Sequence, residues 1–322
     1  MKNYEWKSSL SEYIRRYIAF KRASGLKFAR QETLLQFFDR FHFYGGYQGT
    51  EITREMAREF IYVRGESPNS WRDKEVLLRD FGTYMQNLGF HEYIPEVTTP
   101  AYRSGYVPHI YTTPELRRFF NAIEDYPASA DSFRKKVDAV LFRFLYGTGV
   151  RVSEALNLKI SDYDCEAGAA LIRQGKNNRD RVVALHPTLM RRMNAFVEDF
   201  HKESQPDAAL FPASRMQKMG HSTIYDRFRD YLLMADIPHT GNGPRIHDFR
   251  HGFAVENLRR WSAEGGNLMN LMPYLAAYMG HSDYKVTQYY LRLTAEIYPE
   301  MMERLEAECM DIIPGGDCHE ET

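Results

Sequence analysis

The segment MGHSDYKVTQYYLR, residues 279–292, places His281 nine residues before Tyr290, which directly follows Tyr289. A tyrosine hydroxyl can act as a nucleophile when a base or a positive environment activates it. Adjacent residues of a helix point about 100° apart, so the two tyrosines cannot both face one reactive group. Paired tyrosines in an amphipathic helix are more often packing residues. The choice between packing and chemistry therefore depends on residues elsewhere in the chain.

Three further polar segments stand among apolar elements: TGVRVSEALNL with Arg151, QGKNNRDRVVAL with Lys176, and RIHDFRHGFAV with His247 and Arg250. Each has an ordinary structural interpretation when taken alone. Arg151 could pair with Glu154, three residues further on. Lys176 could be a solvent-exposed hairpin residue, and His247 a core histidine. Only the joint order and spacing of these segments favours chemistry.

That order, GTGVRVSEALNL, a hairpin lysine, HDFRH, and GH followed by a tyrosine, resembles the tyrosine recombinase (lambda-integrase-like) family. The resemblance spans the whole second domain. It implies a mainly α fold: an N-terminal four-helix, SAM-like core-binding domain, followed by a helical catalytic domain with a small antiparallel β-sheet. It also implies an active site of six residues: Arg151, Lys176, His247, Arg250, His281 and Tyr290.

The implied activity is the cutting and rejoining of double-stranded DNA through a 3′-phosphotyrosyl bond, with no cofactor and no metal. Arginine binds two phosphate oxygens with its planar fork, so Arg151 and Arg250 suit a phosphate clamp. Lys176 suits protonation of the leaving 5′ oxygen, and His281 a hydrogen bond to the phosphate. The family spacing selects Tyr290 as the nucleophile and assigns its neighbour to packing.

Glu154 lies three residues after Arg151, which makes it a candidate for orienting that arginine. His247 and Arg250 are also three residues apart, so a helix would place both on one face.

Helical periodicity predicts four helices in the first domain, residues 1–104, each followed by a glycine. Their segments are WKSSLSEYIRRYIAFKRASG, FARQETLLQFFDRFHFYGG, TREMAREFIYVRG and SPNSWRDKEVLLRDFGTYMQNLG. The apolar positions of the first helix are Leu10, Ile14, Tyr17 and Ile18. Residues 91–111 contain three prolines, which predicts an extended linker between two domains.

The catalytic domain is predicted over residues 105–298, with an acidic tail at 299–322. A helix should begin at TTPELRRFF, where Thr113 can cap and Pro114 suits the first helical position. The strand-like segments AALIRQ and RVVAL flank the turn-rich GKNNRD, which is typical of a hairpin.

The overall charge of −1 conceals an asymmetry. Residues 1–104 carry 16 Lys and Arg against 13 Asp and Glu, residues 105–298 carry 25 against 22, and residues 299–322 carry 1 against 8. This balance permits DNA binding through local basic patches and does not require it. The candidate phosphate contacts of the first domain, for which a solvated helix face is an equal alternative, are Arg15, Arg16, Lys21, Arg22, Lys27, Arg30, Arg72 and Lys74.

Three scattered cysteines, Cys165, Cys309 and Cys318, favour neither a disulfide framework nor a cysteine zinc site. The sequence has no apolar run of membrane-spanning length and no signal peptide, so we expect a cytoplasmic protein. Because only a short stretch precedes the first helix, we expect no extra arm-binding domain of the kind found in lambda-type integrases.

The segment ENLRRWSAEGGNLMNLMPYLAAY is longer than the matching connection of Xer-like members. Together with the sequence around TQYYLRLTAEIYPE, it resembles recombinases of transposons and other integrative elements more closely than it resembles Xer-like members. The family also implies a homo-tetramer on two DNA duplexes, with the C-terminal tail docked either on its own domain or on a neighbouring subunit. The alternatives are a DNA-binding accessory protein that does not cut and a type IB topoisomerase.

Overall fold

The computed structural model describes residues 4–101, 106–127, 133–173, 175, 179–214, 217–240, 243–281 and 284–298. The chain divides into two compact units, Met1–Gly105 and Tyr106–Thr322. Most described residues are helical, and the strands form small antiparallel sheets. The predicted fold class is therefore confirmed.

Over residues 4–101 of the first unit, four helices form, as predicted: α1 (Ser11–Ala23), α2 (Ala29–Tyr44), α3 (Arg54–Ile61) and α4 (Pro68–Asn87). Thr53 caps α3 by accepting a hydrogen bond from the backbone N–H of Met56. Ser67 caps α4 in the same way. The predicted apolar stripe of α1 is buried, with at most 4% of each side chain exposed at Leu10, Ile14, Tyr17 and Ile18. Burial of these side chains drives the packing of α1 against the other helices.

Among the described residues of the second unit, eight α-helices form: α5 (Thr113–Glu124), α6 (Phe133–Thr148), α7 (Val152–Ala155), α8 (Pro187–Phe200), α9 (His221–Met234), α10 (Asp248–Ala263), α11 (Leu268–Met279) and α12 (Tyr284–Ile297). Their main core is aromatic. Phe119 lies 5.5 Å from Phe142 and 5.4 Å from Phe249, measured between ring centroids. These three side chains are no more than 1% exposed, and they fix the first turn of α10 against α5 and α6.

Three strands form an antiparallel sheet in sequence order: β1 (Tyr163–Asp164), β2 (Ala169–Ile172) and β3 (Arg181–Ala184). Ile172 pairs with Arg181 at the end nearest the turn, so the predicted hairpin of β2 and β3 is confirmed. A second antiparallel pair, β4 (Pro212–Ser214) and β5 (Gln217–Lys218), was not predicted. Like β1, these strands are too short to show an alternating pattern.

A smaller apolar cluster joins α10, α11 and α12. Leu258 of α10, Met272 and Met279 of α11, and Tyr290 of α12 are all buried in it. The long connection noted in the sequence thus forms the rest of α10, a turn at Gly265 and α11. This packing holds α12 beside the start of α10.

The beginning of α5 differs by one residue from the expectation. Thr112, not Thr113, caps the helix, because its hydroxyl oxygen accepts from the backbone N–H of Glu115. The Glu115 carboxylate accepts in turn from the backbone N–H of Thr112 at 2.8 Å. This reciprocal capping box satisfies two donors, which a cap at Thr113 would not do.

None of the helices in the described ranges combines the length and apolar character that a bilayer crossing requires. Cys165 is a free, half-buried thiol. The other two cysteines and the acidic tail lie outside the described residues.

Candidate active site

Arg151 stands directly before α7, after a turn in which Gly149 has a φ of +61°. Its backbone N–H and its Nη1 both donate to the Glu154 carboxylate, at 2.9 and 2.8 Å. Nη2 reaches the carbonyl oxygen of Gly280 at 3.4 Å. Glu154 therefore orients Arg151, as the three-residue spacing predicts, and the arginine faces the segment that carries His281.

Among the described cations of the site, Arg250 is the most buried, with 2% of the residue exposed. Its Nη1 donates to the carbonyl oxygen of Gly149 at 2.6 Å, and its Nη2 donates to that of Met279 at 2.7 Å. Burial, and then the nearby charge of Arg151, lowers the pKa of Arg250 to about 10. The guanidinium stays protonated at neutral pH and ties α10 to the ends of α6 and α11.

His281 follows Gly280, whose φ of +68° ends α11 in the left-handed conformation. Nη2 of Arg250 lies 2.9 Å from Nε2 of His281. Since a guanidinium only donates, Nε2 must accept, and a neutral His281 carries its proton on Nδ1.

His247 immediately precedes α10 and lies one turn from Arg250. Burial, then the positive charges of Arg250 and Arg151, lowers the pKa of His247 to about 4. This imidazole is therefore neutral at physiological pH.

Tyr290 is 2% exposed, whereas Tyr289 is 43% exposed. The Tyr290 ring stacks on His281 with 5.7 Å between centroids and 14° between planes. Burial raises the pKa of Tyr290, and the opposing effect of Arg250 and Arg151 does not overcome it. The expectation that Tyr289 is a packing residue is met only in part: its ring contacts Tyr290 and His251 edge-on but stays on the surface.

Two residues of the site were missed by sequence reasoning. The His251 ring lies 5.0 Å from that of His247 and 5.4 Å from that of Tyr290. Burial first, then the neighbouring His247 and Arg250, lowers the pKa of His251 to about 3. The helical spacing of four between the two histidines of HDFRH was an available signal. The other missed residue, Arg181, forms a buried ion pair with Glu154.

Five of the six predicted residues therefore come together in the second unit. The sixth, Lys176, lies outside the described residues, between Gly175 and the start of β3.

The basic residues of the first unit have local partners. Three of the arginines make surface ion pairs: Arg16 with Glu12, Arg22 with Glu32, and Arg30 with Asp73. Arg15 donates to the carbonyl oxygen of Ser11 on the surface of α1. Exposed ion pairs of this kind contribute little to stability, so these side chains can exchange partners readily.

Four of the basic residues, Lys21, Lys27, Arg30 and Arg72, line a cavity of about 350 Å³. Asp73 and Asp80 also line it, so the cavity wall carries both signs of charge.

Lys74 departs from the expectation of a phosphate contact. It is 6% exposed, and its Nζ donates to the carbonyl oxygen of Phe60 at 2.9 Å and to Glu66 at 2.8 Å. A buried ammonium with these partners holds α4 to α3 and the segment that follows α3.

Comparison with known proteins identifies the class. An integrase/recombinase of Sinorhizobium fredii, y4rE, is 28% identical over 298 residues, which cover 92% of this chain and 95% of the relative. Tyrosine recombinase XerA of Thermococcus onnurineus is 27% identical over 256 residues, 80% and 83% of the two chains. The Tn1549 transposon integrase, solved with a circular intermediate DNA, has the same fold: a TM-score of 0.60 at 16% identity, over 88% of this chain and 94% of that one.

The fold and these relatives define a tyrosine-type site-specific recombinase, an enzyme that breaks and rejoins DNA strands. Residues 111–296, which are more than half of the sequence, match the phage integrase family. The chain belongs to the phage integrase family.

Proposed function

We propose that this recombinase cuts and rejoins double-stranded DNA through a 3′-phosphotyrosyl bond at Tyr290, in the integration, excision or transposition of a mobile element. One observation carries the mechanism: Arg250 donates to His281 at 2.9 Å while the Tyr290 ring stacks on that histidine. A phosphate bound by the arginine would therefore lie next to the tyrosine hydroxyl.

In the proposed reaction, the Tyr290 oxygen attacks phosphorus and the bond from phosphorus to the 5′ oxygen breaks. Arg151 and Arg250 offset the charge that develops on the nonbridging oxygens. The phenol proton passes to an imidazole of the site. His247 is unprotonated before DNA binds, because burial and the charges of Arg250 and Arg151 lower its pKa, and the negative charge of a bound phosphate would raise that pKa and make the imidazole a stronger base. Lys176 donates the proton that the leaving 5′ oxygen requires. The new ester preserves the phosphodiester energy, so rejoining needs no ATP.

The raised pKa of Tyr290 means that the hydroxyl is protonated before DNA binds. Activation must therefore accompany binding, either by proton transfer or by movement of α12.

We assign initial DNA contacts to the basic residues that lie exposed or half-buried on the first unit: Arg15, Arg16, Lys21, Arg22, Lys27, Arg30 and Arg72. Their existing partners are mostly surface carboxylates, which phosphates can replace. The assembly we propose is a homo-tetramer on two duplexes, with the tail at 299–322 docked on a neighbouring subunit. The names of the y4rE and XerA relatives, an integrase/recombinase and a tyrosine recombinase, support the role in recombination.

Trapping of the covalent intermediate tests the proposal. A duplex selected by binding from a random-sequence pool would be nicked, so that the cleaved fragment diffuses away and the adduct accumulates. The wild-type protein should form the adduct, Tyr290→Phe should bind the duplex without forming it, and Tyr289→Phe should cleave normally. Peptide mapping should place the DNA on Tyr290.

Binding without an adduct in the wild-type protein would point to a DNA-binding accessory protein. An adduct on Tyr289, or cleavage by Tyr290→Phe, would contradict the assignment of the nucleophile. Relaxation of a supercoiled plasmid without joining of two sites would identify a topoisomerase.

A further inference from the structure

Arg181 is the first residue of β3, and its side chain is 11% exposed. Nη1 and Nη2 donate to the two oxygens of Glu154, at 3.0 and 2.7 Å. Nε donates to the carbonyl oxygen of Tyr278, near the end of α11, at 2.8 Å. All three nitrogens of this guanidinium are therefore used, and they connect the sheet to α7 and to α11.

Glu154 accepts four hydrogen bonds, two from Arg181 and two from Arg151. Burial alone would raise the pKa of this carboxyl, but the hydrogen bonds from the two arginines outweigh it and hold the pKa at about 2. Without Arg181, the carboxylate would keep only half of these partners. The geometry of Arg151 thus depends on Arg181 through the carboxylate of Glu154 that the two arginines share.

Two glycines pack closely on the same guanidinium. A Cβ added to Gly280 would lie 3.0 Å from Nη1 of Arg181, and one added to Gly175 would lie 3.1 Å from the same atom. Gly280 immediately precedes His281, and Gly175 immediately precedes Lys176. A Cβ at either position would crowd this guanidinium, so that Arg181 or the backbone would have to shift by a few tenths of an ångström.

We propose that Arg181 is a positioning residue of the active site, which sets the placement of Arg151 through Glu154 and supports the backbone before Lys176 and before His281. This inference rests on the proposed function, because it concerns the same DNA-cleaving site. A guanidinium suits the task because its planar fork satisfies both carboxylate oxygens and a carbonyl at once. A lysine ammonium has no such fixed geometry.

The test compares Arg181→Met with Arg227→Met. Arg227 is an equally buried arginine, 11% exposed, and it also donates to a carboxylate, Asp138, and to a backbone carbonyl, that of Ala213. It contacts none of the proposed catalytic residues through these bonds. Both variants lose a buried ion pair, so both should lose stability.

The readout is the rate of covalent adduct formation at saturating protein, on the nicked duplex that traps the wild-type protein. Loss of two hydrogen bonds to a charged group should slow Arg181→Met by about 10- to 100-fold, with the affinity for DNA changed by less than about threefold. Arg227→Met, assayed at a temperature where it is folded, should form the adduct at close to the wild-type rate.

A pH profile separates positioning from general loss of structure. The charged and titratable groups around Glu154 are Arg151, which stands before the same helix, Arg181 on β3, and His247 and Arg250 at the start of α10. Removal of Arg181 lets burial raise the pKa of Glu154. As the pH is lowered, the rate of Arg181→Met should therefore begin to fall at a higher pH than the wild-type rate does, while Arg227→Met should follow the wild-type profile.

Arg181→Lys keeps the charge and provides the same test if the methionine variant does not fold. It should also be slow, since one ammonium cannot occupy the three donor positions. Equal adduct rates for the Arg181 and Arg227 variants, or parallel pH profiles, would overturn the positioning role while leaving the proposed function intact. A wild-type protein that forms no adduct would overturn both.

Discussion

Substitution of Gly149 by alanine should disturb the active site without removing any functional group. Gly149 has a φ of +61°, and a Cβ built there would lie 2.6 Å from Cδ1 and 2.8 Å from Cγ of Phe253. Its carbonyl oxygen accepts the 2.6 Å hydrogen bond from Nη1 of Arg250. The new methyl group therefore forces apart the turn before Arg151 and the helix that carries Arg250.

Two costs add in this variant. A residue with a Cβ in the left-handed conformation costs about 1 to 2 kcal/mol. Displacement of a packed side chain costs about 1 to 3 kcal/mol more. Phe253 cannot move freely, because its ring stacks on Tyr278 with 5.5 Å between centroids. The combined loss of about 2 to 5 kcal/mol in the free energy of unfolding corresponds to a melting temperature lower by roughly 5 to 15 °C for a unit of this size.

Calorimetry of the full chain measures this shift, and the adduct assay measures its effect on cleavage. Gly252→Ala is the matched control, because Gly252 lies inside α10 and a Cβ there meets no atom within 4 Å. It should raise the free energy of unfolding by up to about 1 kcal/mol, the helix-propensity difference between the two residues. A Gly149→Ala protein that melts and cleaves like Gly252→Ala would refute the close packing of this turn against α10.

Three further predictions concern the reaction, the pH and the tail. Adduct formation should persist in EDTA, because Arg151 and Arg250 supply the positive charge; an absolute requirement for added magnesium would contradict this role. The free energy of unfolding should be greatest above pH 6.5 and fall as the pH drops toward 4, because burial and adjacent cations lower the pKa of His247 to about 4 and of His251 to about 3. The unfolded chain then binds protons that the folded chain does not, so urea titrations that show no such loss would exclude these neutral histidines. Truncation after Tyr298 removes eight acidic residues and one basic residue. It should leave single-site DNA binding unchanged in gel shifts but weaken the assembly of two-site complexes in sedimentation. Normal assembly of the truncated protein would rule out docking of the tail on a neighbouring subunit.

Local features of the sequence predicted most elements of the fold. The apolar spacing of Leu10, Ile14 and Tyr17 is a property of one helix, and it indicated the buried face of α1 correctly. The hairpin was predictable because its two strands are separated only by a turn-rich segment. The one-residue error at Thr112 came from overlooking the spacing to Glu115, which was visible in the sequence.

Long-range contacts were not predictable in this way. Arg250 and His281 are 31 residues apart, and Arg181 and Glu154 are 27 apart. Their distances depend on how α10, α11 and α12 pack on one another, and on how the sheet meets α7. Helical geometry shows that Tyr289 and Tyr290 face different directions, but only the apolar cluster around α12 decides that Tyr290 is the buried one.

The sequence by itself determined which side chains are available for chemistry and which of them share a local element, as His247 and Arg250 do. The tertiary structure decided which of these side chains lie close together and which of them carry a proton at neutral pH. The pKa of His247 is low and that of Tyr290 is raised because burial removes each from water, and segments distant in the sequence provide that burial. Periodicity and spacing are properties of a single segment, whereas the electrostatic environment of a side chain is set by every segment that surrounds it.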